Sequence, residues 1–360
     1  MNSNVALARL FSSVRQAVIG TDGKAILFAN APARAVLGED ICRCPANVLL
    51  PPDILDCPYE NFVCGTLIQG HEANVSVVRD ESVMVLFMDF PSPDPSALYL
   101  TRHIISNLRT CAMGLKMSAD RCFSILEDGK TPDRRHVSVL YHYYYCLART
   151  LTQMDSADLL ERGEMTFSPL RTDLVKLCSE LCDTIANLCP ESGVNISFIC
   201  EESEVSAVVD PQKMEQLLLN LFSNSLQHTS AGDSISLSLS RSGNRIILSM
   251  NDNGSGIDPD QLSNIFTLPD TDFDLTHPQD GIGLGLYIAN GITQLHKGVL
   301  LVESNSGAGT KIRLMLPTNE TPAPKFDSPE TTYRHNGVSS VLTGLADVLK
   351  SDSFGTKFED

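Results

Sequence analysis

Three short motifs between residues 220 and 286 carry groups that could hold a nucleotide. Asn220-Leu221-Phe222-Ser223-Asn224 sets two carboxamides four residues apart, and residues at that spacing share a helix face. A carboxamide oxygen is a neutral ligand suited to a Mg²⁺ ion that keeps several waters and is shared with phosphates. Asp252-Asn253-Gly254-Ser255-Gly256-Ile257 follows an apolar run, so its carboxylate stands at a strand end. There it could accept a hydrogen bond from an adenine amino group, with the glycines letting backbone approach the base. Gly281-Ile282-Gly283-Leu284-Gly285-Leu286 runs into a helix from Tyr287, and amides at a helix N-terminus form an anion site. Singly, an Asn pair can be a solvated face, DNGSG a turn, and GxGxG a flexible loop. Their order, followed by Gly307-Ala308-Gly309-Thr310 before a last strand, carries the specificity.

Elements of the right kind surround these motifs. Asn195–Cys200, Val205–Val209, Ile235–Ser240, Arg245–Met250, Val299–Glu303 and Lys311–Leu316 read as strands, and Asp210–Gln227 as a helix. Residues 163–317 are therefore expected to form an α/β sandwich. Residues 96–162 change character: Leu98, Ile104, Ile105, Leu108, Ala112, Leu115, Ala119, Cys122, Phe123 and Leu126 recur at helical spacing. Asp128–Asp133 stops that helix and a second runs from about Arg134 to Leu160. Two amphipathic helices on a short loop cannot bury their apolar stripe alone, so a four-helix bundle in a homodimer is expected. Residues 1–95 read as a small α+β domain. Asp22-Gly23 joins the apolar runs Ala17–Gly20 and Ala25–Phe28 as a hairpin, and Val75–Val78 pairs with Val83–Met88 as a second. Pro91-Ser92-Pro93-Asp94-Pro95 marks a boundary. The tail, 318–360, opens polar and Pro-rich, then sets Val338, Val341, Leu342, Leu345, Val348 and Leu349 on one helical face, for docking on this chain or a partner. The fold class expected is thus α+β and multidomain.

Composition excludes several classes. Of 360 residues, 42% are apolar and 20% charged, an ordinary globular balance, and the formal charge is -17. That charge opposes non-specific binding to nucleic acid or anionic lipid. No run approaches the roughly 18 apolar residues of a membrane span, and no export signal precedes residue 30, so a cytoplasmic protein is expected. Eleven cysteines without such a signal fit a reducing compartment. Cys42, Cys44, Cys57 and Cys64 could offer four thiolates, but their spacing matches no zinc or iron–sulfur pattern.

On these motifs, residues 210–317 resemble the ATP-binding domain of bacterial two-component sensor histidine kinases, in the superfamily shared with gyrase, Hsp90 and MutL. The resemblance implies ATP and Mg²⁺ as cofactors. Asn224 becomes the metal ligand assisted by Asn220, Asp252 the adenine reader, and His228 a ring over the adenine. Gly254 and Gly256 belong to the second motif, and Gly281, Gly283, Gly285 and Leu286 to the third. His296-Lys297-Gly298 and Thr310, with its preceding glycines, match later landmarks. ATPase branches place a glutamate four before the metal-binding Asn; Asn220 has no basicity to offer there, which favours the kinase branch. The helical hairpin then corresponds to the dimerisation and phosphoacceptor module, and residues 1–95 resemble a PAS sensor. A response regulator's receiver domain is the implied partner. The excess acid falls mainly on 163–317, with 8 bases against 19 acids, whereas 96–162 is net basic, with 9 against 7. An acidic regulator face is expected on the hairpin.

Two departures bear on activity. The family's acceptor box reads Ser-His-Glu/Asp-Leu-Arg-Thr-Pro, whereas this chain has Ile105-Ser106-Asn107-Leu108-Arg109-Thr110-Cys111. Ser106 takes the histidine's place, a serine hydroxyl needs a base to attack, and Asn107 cannot be one. His103, one turn earlier, is either a displaced acceptor or a surface histidine. Thr110 stands where the family orients water to dephosphorylate the regulator, or is an ordinary helix threonine. The stretch Thr267–Asp280, the expected lid, carries four aspartates with only His277 as a cation, and Gln227 replaces the usual base. Two functions remain open: a kinase or phosphatase acting on a regulator, and a pseudokinase for which ATP is a conformational ligand.

Overall fold

The computed structural model describes residues 11, 16–38, 41–42, 44–56, 61–80, 83–90, 97–190, 192–257, 262, 265–266, 283–318, 334–335 and 338–354. Both expected N-terminal hairpins form. Strands β1 (Ala17–Thr21) and β2 (Ile26–Ala29) turn at Asp22-Gly23, where Asp22 Oδ1 accepts the amides of Lys24 and Ala25 and Gly23 takes φ +83°. Asn30 caps α1 (Ala31–Leu37) by accepting Ala33 N. Strands β3 (Asn61–Ile68), β4 (His71–Asp80) and β5 (Val83–Asp89) complete an antiparallel sheet of order β2-β1-β5-β4-β3. Strand β3 is the one the alternation pattern does not reveal, because Phe62, Val63, Cys64 and Ile68 are buried without regard to face.

The hairpin follows, as α2 (Ala97–Glu127) and α3 (Arg134–Glu161). Asp133 caps α3, its carboxylate accepting His136 N at 3.1 Å. Among the described side chains, Ile105, Met113, Met117, Phe123 and Leu126 of α2 and Tyr144 and Leu151 of α3 are exposed. The boundary prolines 91–95 and residue Cys57 lie outside the described residues. Among the described residues no cluster of Cys, His or acid could hold a metal, and no helix is long and apolar enough to cross a membrane.

Beyond residue 163 come β6 (Leu170–Asp173), α4 (Leu174–Leu188), β7 (Asn195–Cys200), β8 (Ser206–Val209), α5 (Pro211–Gln227), β9 (Ser234–Ser242), β10 (Arg245–Asp252), α6 (Gly285–Leu295), β11 (Val299–Ser304) and β12 (Thr310–Pro317). The strands run β11-β12-β10-β9-β7, antiparallel except where β7 meets β9, with β6 and β8 as a separate pair. Helices α4, α5 and α6 bury Leu177, Leu181, Ile185, Leu217, Phe222, Ile288 and Ile292 against Leu237, Leu248, Met250, Leu300 and Ile312. Each such side chain contributes roughly 1.5–3 kcal/mol on removal from water.

Two features depart from the expectations. The N-terminal sheet does not stand apart: β3 pairs antiparallel with β11, matching Gly65 with Leu300, Cys64 with Leu301 and Val63 with Val302. The two sheets thereby become one of ten strands, and Val299 and Leu301 enter the N-terminal core. The tail is also not one continuous helix. Val338–Ser339 is extended, α7 spans only Ser340–Gly344, and turns carry the chain to a 3₁₀ turn at Ser351–Ser353. Gly344, a weak helix former, ends the helix, and the turns beyond it bury Ala346, Leu349 and Phe354.

Candidate nucleotide site

Helix α5 is fixed at its start by Asp210. One carboxylate oxygen accepts the amides of Gln212 and Lys213, both at 3.1 Å, and the other accepts Ser168 N at 2.9 Å. Pro211 follows at the first helical position, where a missing N–H costs nothing. The amide of Asp210 donates to Nε2 of His296 at 3.0 Å, while His296 Nδ1 donates to the Ile292 carbonyl at 2.8 Å. These partners require a neutral ring with its proton on Nδ1, and burial holds the imidazole below its usual range.

One turn apart on this helix, Asn220 is buried and Asn224 half-buried. The buried Nδ2 of Asn220 has no hydrogen-bond partner among the described residues. Its side chain lies beside Gly285, where an added Cβ would stand 3.8 Å from the Asn220 Cβ and 3.9 Å from Oδ1. Helix α6 begins at that glycine, and among the described residues no side chain caps its first turn, whose leading amides suit an anion. Gly283 takes φ +72° ahead of the helix. A carboxamide oxygen on this face of α5 suits a hydrated Mg²⁺, while the Nδ2 of Asn220, unpartnered among the described residues, is a donor that suits a phosphate oxygen. Gly281 and the stretch 267–282 lie outside the described residues.

Beside the C-terminal turn of α5, which carries Asn224, Asp252 closes β10 with its carboxylate held by three donors. Ser225 Oγ donates at 3.0 Å, and the amides of Thr310 and Gly254 donate at 3.1 and 3.2 Å. Thr310 Oγ1 meets Ser304 Oγ at 3.0 Å, and Ser304 also joins Gly309 O and Ile257 N. An oriented carboxylate beside two hydroxyls can read an amino group on a planar base. The glycines here serve packing. A Cβ at Gly254 would lie 2.2 Å from His228 O, and one at Gly256 would lie 2.1 Å from Asn305 O. Ser255 N donates to His228 O at 3.0 Å, so the loop docks on the end of α5, where the His228 side chain stays exposed. Leu286 packs partly buried against the core. An open pocket of about 290 Å³ lies at the same strand ends. Asn251, Glu303 and Lys311 form its outer row, while Asp252, Ser304 and Thr310 alternate to the helical side.

The acceptor-box residues lie on α2. Ser106 is exposed, and its carbonyl accepts Thr110 Oγ1 at 3.0 Å. Asn107 Oδ1 accepts the Cys111 thiol at 3.4 Å, and burial pushes that thiol's pKa up. His103 is helical, but its side chain lies outside those described. Motif reasoning did not reach Ser225, Ser304 or His296's link to Asp210. Ser225 had a signal: it is a polar residue on the stripe of Met214, Leu218, Leu221 and Phe222.

Comparison with known proteins agrees with this geometry. Residues 209–320 match the family model described as histidine kinase-, DNA gyrase B- and HSP90-like ATPase. The sensor histidine kinase ZraS of Escherichia coli K12 is 38% identical over 112 residues, 31% of this chain and 23% of ZraS. The sensor histidine kinase RppB of Synechocystis is 33% identical over 147 residues, 41% of this chain and 32% of RppB. The solved Acinetobacter baumannii histidine kinase AdeS aligns with TM-score 0.46 and 18% identity over 59% of this chain and 98% of that one. The chain spans about a quarter to a third of the length of the two curated relatives. Residues 209–320 thus match the histidine kinase-, DNA gyrase B- and HSP90-like ATPase family, and both curated relatives are sensor histidine kinases.

Proposed function

We propose that this chain binds Mg·ATP and acts, or signals, within a two-component system through a response regulator's receiver domain. The observation that carries the reading is the start of α6, uncapped by any described side chain and close to Asn220, with the Asp252 carboxylate held by Ser225, the residue after Asn224. Asn224, assisted by Asn220, would hold the metal, which supplies charge neutralisation between the phosphates. The α6 amides bind phosphate, and Asp252 orients the adenine. The exposed apolar side chains of α2 and α3 support a homodimer closing a four-helix bundle. The order β2-β1-β5-β4-β3 supports the PAS-like reading of residues 1–95. Placement in the cytoplasm is part of the same reading.

Titration with a fluorescent ATP analogue and Mg²⁺ tests it. Saturable binding is expected, weakened at least about tenfold by Asn224→Ala. No saturable signal, or identical titrations, would sink the proposal.

A second reading is favoured at the acceptor box. Serine needs a base, and the neighbouring Asn107 has none to offer while its oxygen already accepts the Cys111 thiol. ATP would then be a conformational ligand, or Thr110 would serve a phosphatase-only protein. Incubation with labelled ATP separates these. An acid-labile, alkali-stable label lost in His103→Ala identifies a displaced histidine, and an acid-stable label lost in Ser106→Ala identifies serine. No label with preserved nucleotide binding identifies the silent or phosphatase form.

A further inference from the structure

The sheet of the ATP-binding domain is complete at β12, yet the chain returns beyond it and buries itself again. Val341, Leu342, Leu345, Ala346, Leu349 and Phe354 all join the core that α3 and α5 share. One guanidinium ties the three segments together. Arg149 of α3 is 6% exposed. Its Nε donates to Asp347 Oδ2 at 2.5 Å, Nη1 to the Gly344 carbonyl, and Nη2 to Ser223 Oγ at 3.0 Å. Ser223 lies in α5 between Asn220 and Asn224.

Further contacts extend this clamp at both ends. Ser340 Oγ donates to Glu215 of α5, and Ser353 Oγ donates to the Leu188 carbonyl of α4 at 3.2 Å. The Phe354 ring lies 5.1 Å from His142 and 5.4 Å from Tyr145, both on α3. Gly344 has no room for a side chain, since its Cβ would come 2.8 Å from Leu219 of α5.

We propose that residues 339–354 are a strap that holds the ATP-binding domain on hairpin helix α3 and so fixes the position of one against the other. Buried apolar side chains give the contact its strength, and its charged and polar groups fix where it seats. The Arg149–Asp347 pair itself adds little over its two hydrated partners. Breaking one partner alone strands the other in the core, which makes the seat specific. Burial also pushes the Glu215 carboxyl above its usual range, a further sign that this seam holds polar groups away from water. Inter-domain contacts of such mixed character permit relative motion by default. The proposal rests on the reading above in treating the hairpin and the ATP-binding domain as parts that move, but it requires no catalysis.

Hydrogen exchange on the full chain, a chain ending at residue 337, and full-length Gly344→Glu and Asp347→Arg tests the strap. Amides in 141–150 and 215–223 are expected to exchange at least about tenfold faster in all three variants, with β9 and β10 unchanged. A synthetic peptide of residues 338–354 should restore protection to the shortened chain, and the same peptide carrying Asp347→Arg should not. Arg149→Asp combined with Asp347→Arg should recover protection lost by either alone. Unchanged exchange in the variants overturns the strap. So does parallel acceleration of β9 and β10, which would make the segment part of the domain core. Binding of the fluorescent ATP analogue, measured on the same samples, keeps the two readings apart. Normal binding without a change in exchange removes the strap alone; release without any nucleotide binding in the full chain removes the functional reading alone.

Discussion

At Gly309 the backbone takes φ +82°, and an added Cβ would stand 2.1 Å from the Asp252 carbonyl oxygen. Two residues earlier, Gly307 takes φ +78° with nothing within 4 Å. The pair separates two reasons for glycine in one motif. Gly307→Ala meets only the left-handed backbone penalty, about 1–2 kcal/mol. Gly309→Ala meets that and a backbone clash, and should cost roughly twice as much or more while displacing the amide of Thr310 from Asp252. Urea unfolding of both variants checks the difference; equal losses would show that the loop yields without strain. The Gly-x-Gly spacing was readable in the chain, but as permission for backbone to approach a base. The observed neighbours of Gly254, Gly256 and Gly309 are backbone of other loops, and no local pattern encodes which loop will lie opposite. Asp252 was legible because its motif stands in order between the Asn pair and the glycine run that enters a helix. Its donor Ser225 was not, because a serine on an apolar stripe has many other uses.

Helix α5 shows the same limit at the next scale. Its span followed from apolar spacing, a signal that resides within the helix. Its anchoring did not, since His296 lies 86 residues away and meets the Asp210 amide only when the fold closes. This anchoring carries a pH dependence. Burial lowers the His296 pKa in the folded chain, opposed weakly by the Ile292 carbonyl and the Asp210 charge, with the Phe167 ring edge-on at 4.9 Å. The folded chain therefore keeps this ring neutral where the unfolded chain begins to bind a proton. The contribution is full above the unfolded value near 6.5 and is lost as pH falls through the lower folded value. One such proton gives a slope of at most about 1.4 kcal/mol per pH unit. Urea unfolding between pH 7.5 and 5 should show that slope in the parent chain and a shallower one in His296→Asn. His142, also lowered by burial, titrates equally in both and cancels. Identical slopes would mean that His296 does not govern the loss.

The whole molecule adds what neither residues nor elements announced: one sheet running from the N-terminal domain into the ATP-binding domain. The length, the charge by segment and the proline-rich boundary all described separable parts, and the hairpin between them reinforced that view. What joins them is an edge strand, β3, whose residues Val63 and Cys64 belong to different cores on its two faces. An unpaired edge is costly to leave open, and β11 supplies the pairing. Strand β11 runs on from Val302 to Ser304, whose hydroxyl meets Thr310 beside Asp252. Two residues of β11 therefore separate the paired Val302 from the Ser304–Thr310–Asp252 cluster. The seam has a testable fit. Gly65 of β3 faces Asn290 of α6, and a Cβ there would stand 2.1 Å from Asn290 Nδ2. Asn290 is itself buried, with Oδ1 lacking a partner among the described residues. Gly65→Ala should force the strand off and expose the amides of Leu300–Val302 to faster exchange, with weaker binding of the ATP analogue. Asn290→Ala removes both the obstruction and an unsatisfied buried atom, so alone it should cost less than about 1 kcal/mol. Combined with Gly65→Ala it should restore slow exchange. A double variant as open as Gly65→Ala alone would show that the seam is not set by this contact.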